Sequence, residues 1–351
     1  MTESRVLRIG ILGAARIAPS AICIPSLALS HKLVAVGSQN FEKAKIFADR
    51  WGIENIVDGY EDLVNHPDID VVYNALPNSM HAKFNIAAIH AGKHVISEKP
   101  FASNFDEARN VAEIAIKSKA KIIEAFHYRY HPTIKRAIEI AVSGEIGEIR
   151  KVTSALNIPA PGDDDLRWQF ELSGGAMMDL GCYSLHIQRH LSLSLFNAEP
   201  KIVSAESRER KPNVDKFMSA TILYDNGAEG QLSCDMDYTH FDSPLKITGT
   251  KGEIFLPSFV LPGVDDRVIV TSPVSNRTEH LGNVSSYTWQ LAAFAEYVRG
   301  SEILTGVNDA LANAKAIDSI YVASGMEARR ARKASRVVAK GGDLEEDTIY
   351  G

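Results

Sequence analysis

Short apolar runs alternate with helix-length amphipathic stretches through the first third of the chain. Residues 8–12 (Arg-Ile-Gly-Ile-Leu) form an apolar run of strand length, followed by an apolar helix pattern through Leu29. Further strands are predicted at 33–37, 70–74, 94–97 and 121–125, with helices over 79–90 and 103–117. Ser103 reads as the N-cap of the second of these helices, with Asp106 and Glu107 in its first turn. Apolar strands joined through helices by short turns predict a doubly wound parallel sheet.

From about Phe126 the texture changes. A helix over 130–142 ends at Gly144-Glu145-Ile146-Gly147. Strands then follow one another at 148–157, 202–209, 217–224, 228–235, 245–249, 253–256 and 267–271. Asp225-Asn226-Gly227 is a hairpin turn. Strands without intervening helices predict a mostly antiparallel sheet. Helices over 289–298 and 309–328 close the pattern, and a tail from Arg329, basic and then acidic, is expected to be partly ordered. The fold class is α/β, in two domains. Residues 1–128 form the doubly wound parallel sheet, and 129–351 an α+β domain with an open, mostly antiparallel sheet.

The 351 residues suffice for two domains with cores of their own, and 45% hydrophobic with 23% charged residues describes a soluble globular chain. A net charge of −6 gives no reason to expect nucleic acid or an anionic membrane as a partner. The 3 cysteines, Cys23, Cys182 and Cys234, are far apart, with no metal-ligand spacing, so no metal is expected and a reducing, cytoplasmic setting fits. The opening Met-Thr-Glu-Ser-Arg lacks a basic region before an apolar run, so no leader is expected. No apolar run approaches the roughly 20 residues of a membrane span.

Candidate chemistry gathers at the predicted strand ends. After residues 8–12 comes Gly13-Ala14-Ala15-Arg16-Ile17-Ala18, a G-x-A-x-x-A form of the dinucleotide fingerprint. Gly13 permits the tight turn, Ala15 stands where backbone approaches a pyrophosphate, and Ala18 lets helix and strand pack closely. The next strand ends in Ser38-Gln39-Asn40 rather than in an acid, with Lys43 one helical turn on. Ser38 can donate to a 2′-phosphate and Lys43 can neutralise it, which favours NADP(H), with NAD(H) also admitted. Two further strands lead into Leu76-Pro77-Asn78 and Ser97-Glu98-Lys99-Pro100. In a doubly wound sheet Gly13, Ser38, Pro77-Asn78 and Lys99 lie on one edge, where ligands bind. Lys99, with a pKa lowered by burial and held by a neighbouring carboxylate, is suited to orient a hydroxyl or move a proton.

In the second half, Ser173-Gly174-Gly175 opens a helix that carries Asp179 and Tyr183, four apart and on one face. A nearby lysine is expected to favour the Tyr183 phenolate, and Asp179 to hold or tune that group. His186, close to the same face, reads as a structural histidine.

These stretches resemble the Gfo/Idh/MocA oxidoreductases. The resemblance is carried by residues 10–18, by Pro77-Asn78-Ser79-Met80-His81-Ala82, by residues 91–100 around Glu98-Lys99-Pro100, and by the Gly174/Gly175/Asp179/Tyr183 helix. It implies an N-terminal Rossmann domain and a C-terminal domain whose sheet commonly makes subunit contacts, so a homodimer or homotetramer. It implies Lys99 as the lysine at the substrate oxygen, Asp179 as the family's aspartate and Tyr183 as its general acid/base. The tyrosine, and the stretch 124–132, look like the glucose-fructose oxidoreductase and dihydrodiol dehydrogenase branch. Ala15 and Gln39 depart from the family's usual glycine and from the arginine of many NADP-preferring relatives.

The expected activity is therefore hydride transfer between NADP(H) and a sugar or polyol: an aldose or dihydrodiol dehydrogenase, or a keto-sugar reductase. The cofactor-binding set is Gly13, Ala15, Arg16, Ile17, Ser38, Gln39, Lys43, Leu76, Pro77, Asn78, His81 and Glu98. Substrate binding is expected at Lys99, Arg129, Arg167, Trp168 and Tyr183, with an arginine clamp and an indole platform for a ring of hydroxyls. The alternatives are a nucleotide- and sugar-binding sensor without turnover, which should lose Lys99 and Tyr183, and an NAD-dependent redox-assisted glycosidase.

Overall fold

The computed structural model describes residues 6–329. Beyond Arg329, the tail lies outside the described residues.

The first sheet is built from β1 (Arg8–Leu12), β2 (Lys32–Ser38), β3 (Asn55–Asp58), β4 (Val71–Asn74), β5 (His94–Ser97) and β6 (Ile122–Glu124). Their spatial order is β3-β2-β1-β4-β5-β6, and every pairing is parallel. Helices α1 (Ile24–Ala28), α2 (Phe41–Trp51), α3 (Tyr60–Val64), α4 (His81–His90) and α5 (Phe105–Lys117) make the crossovers. The order reverses beside β1, so the crevice of a doubly wound sheet opens outside the carboxyl ends of β1 and β4.

Several details differ from the sequence reading. Strand β3 and helix α3 were not anticipated, because four residues ending in aspartate and a one-turn helix carry too little periodicity. The N-cap of α5 is Asn104, not Ser103: Asn104 Oδ1 accepts the Glu107 N–H at 2.9 Å. Glu107 Oε2 reaches back to the Ser103 N–H at 2.9 Å, which closes a reciprocal cap one residue later than expected.

The second sheet takes β7 (Ile149–Pro159), β8 (Lys201–Lys211), β9 (Val214–Leu223), β10 (Glu229–Tyr238), β11 (Leu245–Gly249), β12 (Glu253–Leu256), β13 (Arg267–Thr271) and β14 (Asn276–His280). The order is β14-β13-β12-β11-β7-β10-β9-β8, antiparallel except for the β7–β10 pair. The Asp225–Gly227 turn joins β9 to β10, with Tyr224 and Ala228 closing it by a 2.9 Å bond. Strand β14 (Asn-Arg-Thr-Glu-His) is a polar edge that hydrophobic patterning does not reveal. Helices α6 (Pro132–Val142) and α7 (Cys182–Phe196) belong to this half.

Helices α8 (Ser286–Val298) and α9 (Val307–Ala323) return to the first sheet. Tyr287, Leu291 and Phe294 share a core with Ile9, Ile11 and Ile96. Along α9, Ala310 and Ala314 pack on the first sheet's other core, while Ile317, Ile320 and Tyr321 pack into the second. One helix thus contributes to the cores of both halves, which fixes the first sheet's edge relative to α7.

Candidate active site

Gly13 ends β1 with φ +87, a conformation that side-chain-bearing residues rarely adopt. Its N–H donates to Gly37 O at 2.8 Å, which pins the turn to β2. Among the described residues, no protein acceptor takes the backbone N–H of Ala15, Arg16 or Ile17. These unpartnered donors, at the head of the helix, fit a phosphate. Ala15 is half-buried, while Arg16 and Ile17 are exposed.

Ser38 is buried and its hydroxyl accepts the Asn40 N–H at 3.2 Å; Asn40 in turn caps α2. Gln39 and Lys43 are exposed beside it. The register places Asp58, at the end of β3, next to Ser38. An acid therefore stands near this strand end, on the neighbouring strand that the sequence reading missed.

At the next strand end, Leu76 is buried and Asn78 Nδ2 donates across to Ser173 O at 3.0 Å. Pro77 between them is half-buried. His81 is a correction. It is 1% exposed, and its two ring nitrogens meet Pro100 O at 2.7 Å and Leu76 O at 2.8 Å. No ring nitrogen is left for a dinucleotide, so His81 braces the two turns that flank the crevice.

Glu98 is buried, and its Oε1 accepts the Tyr73 hydroxyl at 2.7 Å. Burial holds its pKa above the usual carboxylate range, against the pull of Lys99. Lys99 Nζ donates to the Asp179 backbone O at 2.7 Å and to its Oδ1 at 3.1 Å. It also lies 5.2 Å from the centre of the Tyr183 ring. Burial works against the ammonium, but Asp179, Cys182 and Glu98 outweigh it, and the pKa is raised. Lys99 is therefore held by a carboxylate, but the expectation of a lowered pKa is corrected: the charge of Asp179 prevails over burial.

Asp179 sits in a π turn, Met177–Gly181, that leads into α7. The start of this turn is crowded: a Cβ on Gly175 would fall 2.2 Å from Asp215 Oδ1 and 2.4 Å from Arg329 Nη2, and φ there is +125. Only glycine lets the chain pass. Burial opposes the Asp179 charge, yet Lys99 and Arg167 bring its pKa down to about 2. Arg167 Nε donates to Asp179 Oδ2 at 2.6 Å, and its Nη1 to Asp165 at 3.0 and 3.2 Å. Asp165 Oδ2 in turn takes Arg16 Nη2 at 3.0 Å.

Tyr183 is 5% exposed, with Phe126, His127 and Tyr128 around its ring at centroid distances of 5.2, 5.8 and 5.9 Å. Its hydroxyl makes no hydrogen bond among the described residues. Burial raises its pKa well above the usual phenol, and Tyr287, Glu98, Cys182 and Asp179 add to the rise. This corrects the expectation of a favoured phenolate: the group is a protonated phenol. His186 is structural, bonded to Tyr128 at 2.5 Å and Asp309 at 2.8 Å.

The structure thus brings Lys99, Asp179, Tyr183 and Arg167 together. Arg129, in the short turn His127–Tyr130, is half-buried, and its charge acts on His186 and His190 of α7. Trp168 is a correction. It is 1% exposed inside the second core, its Nε1 donates to Pro161 O at 3.2 Å, and Arg210 covers the ring at 4.6 Å. A buried indole offers no platform to a sugar. Sequence reasoning missed Asp165, Asp215 and Arg329. Asp165 carries a weak signal, two residues before an arginine; the buried Arg329–Asp215 pair, at 2.7 Å, carries none.

A parallel dinucleotide-type sheet, with a lysine on its edge facing a carboxylate and a phenol of a second domain, defines a two-domain oxidoreductase. The chain belongs to the Gfo/Idh/MocA oxidoreductases: the NAD-binding Rossmann model matches residues 7–126 and the family's C-terminal domain model residues 133–255. It is 32% identical over 321 residues to D-xylose 1-dehydrogenase (NADP(+)) 2 of Haloferax volcanii, covering 89% of this chain and 95% of that one. It is 30% identical over 314 residues to dTDP-3,4-didehydro-2,6-dideoxy-alpha-D-glucose 3-reductase of Saccharopolyspora spinosa, covering 86% and 90%. Among solved structures, a 3-ketoreductase from Actinomadura kijaniata in complex with NADP and TDP-benzene superposes with a TM-score of 0.83 at 26% identity, covering 91% of this chain and 98% of that one.

Proposed function

We propose that this oxidoreductase transfers hydride between NADP(H) and a sugar or polyol, at a hydroxyl or carbonyl carbon, with NAD(H) as a weaker alternative. One observation carries the reading. A charged Lys99, fixed on Asp179 at 3.1 Å, lies 5.2 Å from the centre of the Tyr183 ring, whose hydroxyl makes no hydrogen bond among the described residues, at the edge of the dinucleotide sheet. The similarity to an NADP-dependent xylose dehydrogenase and to sugar-nucleotide ketoreductases supports the substrate class.

The cofactor-binding set is Gly13, Ala15, Arg16, Ile17, Ser38, Gln39, Lys43, Leu76, Pro77, Asn78 and Glu98. Open N–H groups at Ala15 to Ile17 receive the phosphates, and Lys43 the 2′-phosphate. The bound nicotinamide supplies or takes the hydride. Tyr183, a phenol near neutral pH, donates its proton to the substrate oxygen during reduction and recovers it during oxidation. Lys99 stabilises the negative charge that develops on that oxygen. Asp179 keeps Lys99 charged and aimed, and Arg167 keeps Asp179 ionised. Arg167 Nη2, the one nitrogen of that guanidinium not bonded to a carboxylate, remains for a substrate hydroxyl. Retention of Lys99, Asp179 and Tyr183 favours an enzyme over a sensor.

The outer face of the second sheet carries a shallow groove of about 410 Å³, lined by side chains including Thr153, Ser219, Thr221 and Ser233. This face supports a homodimer or homotetramer. Three free, buried cysteines support a reducing, cytoplasmic setting. Among the described residues, no helix is long and apolar enough to cross a membrane.

The test is a screen of aldoses, polyols and diols with NADP and then NAD, following the absorbance of the reduced nicotinamide. Turnover of at least one sugar, faster with NADP, is expected. No turnover in either direction, with ketosugars and NADPH also inert, contradicts the reading.

A further inference from the structure

Five alternating charges connect the dinucleotide turn to the lysine. They run Arg16–Asp165 at 3.0 Å, Asp165–Arg167 at 3.0 Å, Arg167–Asp179 at 2.6 Å and Asp179–Lys99 at 3.1 Å. Only its outer end is exposed: the Arg16 side chain is 78% accessible, whereas Asp165 and Lys99 are at 12% and 13%. Asp165 is its branch point. Oδ1 accepts the Arg167 N–H at 3.0 Å, both oxygens take Arg167 Nη1, and Oδ2 also takes Arg16. Its neighbours are fixed independently: Asp163 pairs with Arg210, its backbone O accepts Lys211 Nζ at 3.3 Å, and Trp168 is buried. Its three contacts to Arg167 and its cap on the Leu166–Trp168 turn therefore hold Asp165 in place whether or not Arg16 stays on it.

Arg16 follows Ala15, in the stretch of open N–H groups where the dinucleotide's phosphates belong. A pyrophosphate carries two negative charges, against one on Asp165, so a bound dinucleotide competes for that guanidinium. Resting on the reading that NADP(H) occupies this turn, we propose that Asp165 is a positioning residue with two opposed effects. It restrains Arg16 from the dinucleotide, and it holds Arg167 on the carboxylate that aims Lys99. Cofactor occupancy and the placement of the ammonium are thereby linked through one carboxylate.

The opposed effects give a signature that a merely structural residue lacks. Asp165→Asn keeps the shape and the acceptor for the Arg167 N–H but releases Arg16. NADPH binding, measured by nicotinamide fluorescence, is expected to tighten about three- to fivefold, the range of an exposed ion pair. Turnover by the same variant is expected to fall about tenfold or more, because Arg167 is less firmly held. In an Arg16→Gln background, Asp165→Asn is expected to leave the NADPH Kd unchanged, since the competing pair is already gone. Asp165→Ser is read the same way if the asparagine variant melts early. Weakened or unchanged NADPH binding in Asp165→Asn overturns the proposal, as does tightening that survives Arg16→Gln. Failure of the wild-type chain to bind NADPH or NADH overturns the reading of the function along with it.

Discussion

Lys99 Nζ is held twice by Asp179, at 2.7 Å by the backbone carbonyl and at 3.1 Å by Oδ1. Asp179 lies in the π turn Met177–Gly181, and its carbonyl has a second lone pair for the ammonium. Backbone and side chain of one residue thus place the ammonium. Asp179→Asn retains the carbonyl contact and removes the charge. Turnover is expected to fall about 10²-fold, as for other lost electrostatic partners in active sites. The basic limb of the pH–rate profile is expected to move to lower pH, since Asp179 raises the Lys99 pKa. Steady-state kinetics across pH check both, and an unmoved basic limb contradicts the pairing.

Arg329 and Asp215 form an ion pair with both side chains 0% exposed. Asp215 Oδ2 accepts the Met177 N–H at 2.6 Å, and Arg329 Nε donates to Gly174 O at 2.8 Å. The pair therefore clamps the entry to the turn that carries Asp179. Arg329→Ala leaves a buried carboxylate uncompensated and is expected to destabilise the fold by about 3–5 kcal/mol. Urea unfolding measures this; a loss under about 1 kcal/mol argues against the clamp.

Trp168 gives a stability prediction where the sequence suggested a binding one. Trp168→Ala is expected to cost about 3–5 kcal/mol from lost burial and the cavity left behind. Trp168→Phe is expected to preserve the sugar KM within about twofold. A large rise in KM for the phenylalanine variant, with stability intact, would return the indole to the substrate.

The pH dependence of stability has a defined sign at His127. The ring is 1% exposed, Nδ1 bonds Ser286 Oγ at 2.8 Å, and Nε2 has no partner among the described residues. Burial, with Lys99 nearby, brings its pKa down to about 3. An unfolded histidine titrates at about 6.5, so below that pH the unfolded chain binds a proton that the folded chain refuses. This stability is complete above about pH 6.5 and is lost as the pH falls toward 3, at up to about 1.4 kcal/mol per pH unit. His127→Gln is expected to reduce the slope of unfolding free energy against pH by one proton between pH 6 and 4. An unchanged slope would show that His127 is protonated in the fold.

The parts of this architecture that were legible in the sequence are those with local causes. Buried parallel strands are continuous apolar runs, and the glycine after β1 and the Glu98-Lys99-Pro100 strand end announce the sheet's working edge. Asp179 and Tyr183, four apart, announced their shared face. What was not legible depends on distant partners. Asp165 matters because Arg16 and Arg167 converge on it, and Arg329 because it finds Asp215, 114 residues away. The titration of Lys99 and Tyr183 was misjudged for the same reason. A nearby cation and burial act in opposite directions on a phenol, and burial, which the sequence does not display, prevails at Tyr183. Trp168 shows the ambiguity of an indole, equally suited to a core and to a sugar face.

The most direct test of the site is turnover of Lys99→Ala and Tyr183→Phe alongside NADPH binding by the same proteins. Each variant is expected to lose about 10²–10⁴-fold in kcat while its NADPH Kd stays within about threefold of wild type. Near-normal kcat in both would contradict the assignment of the ammonium and the phenol to the reacting oxygen.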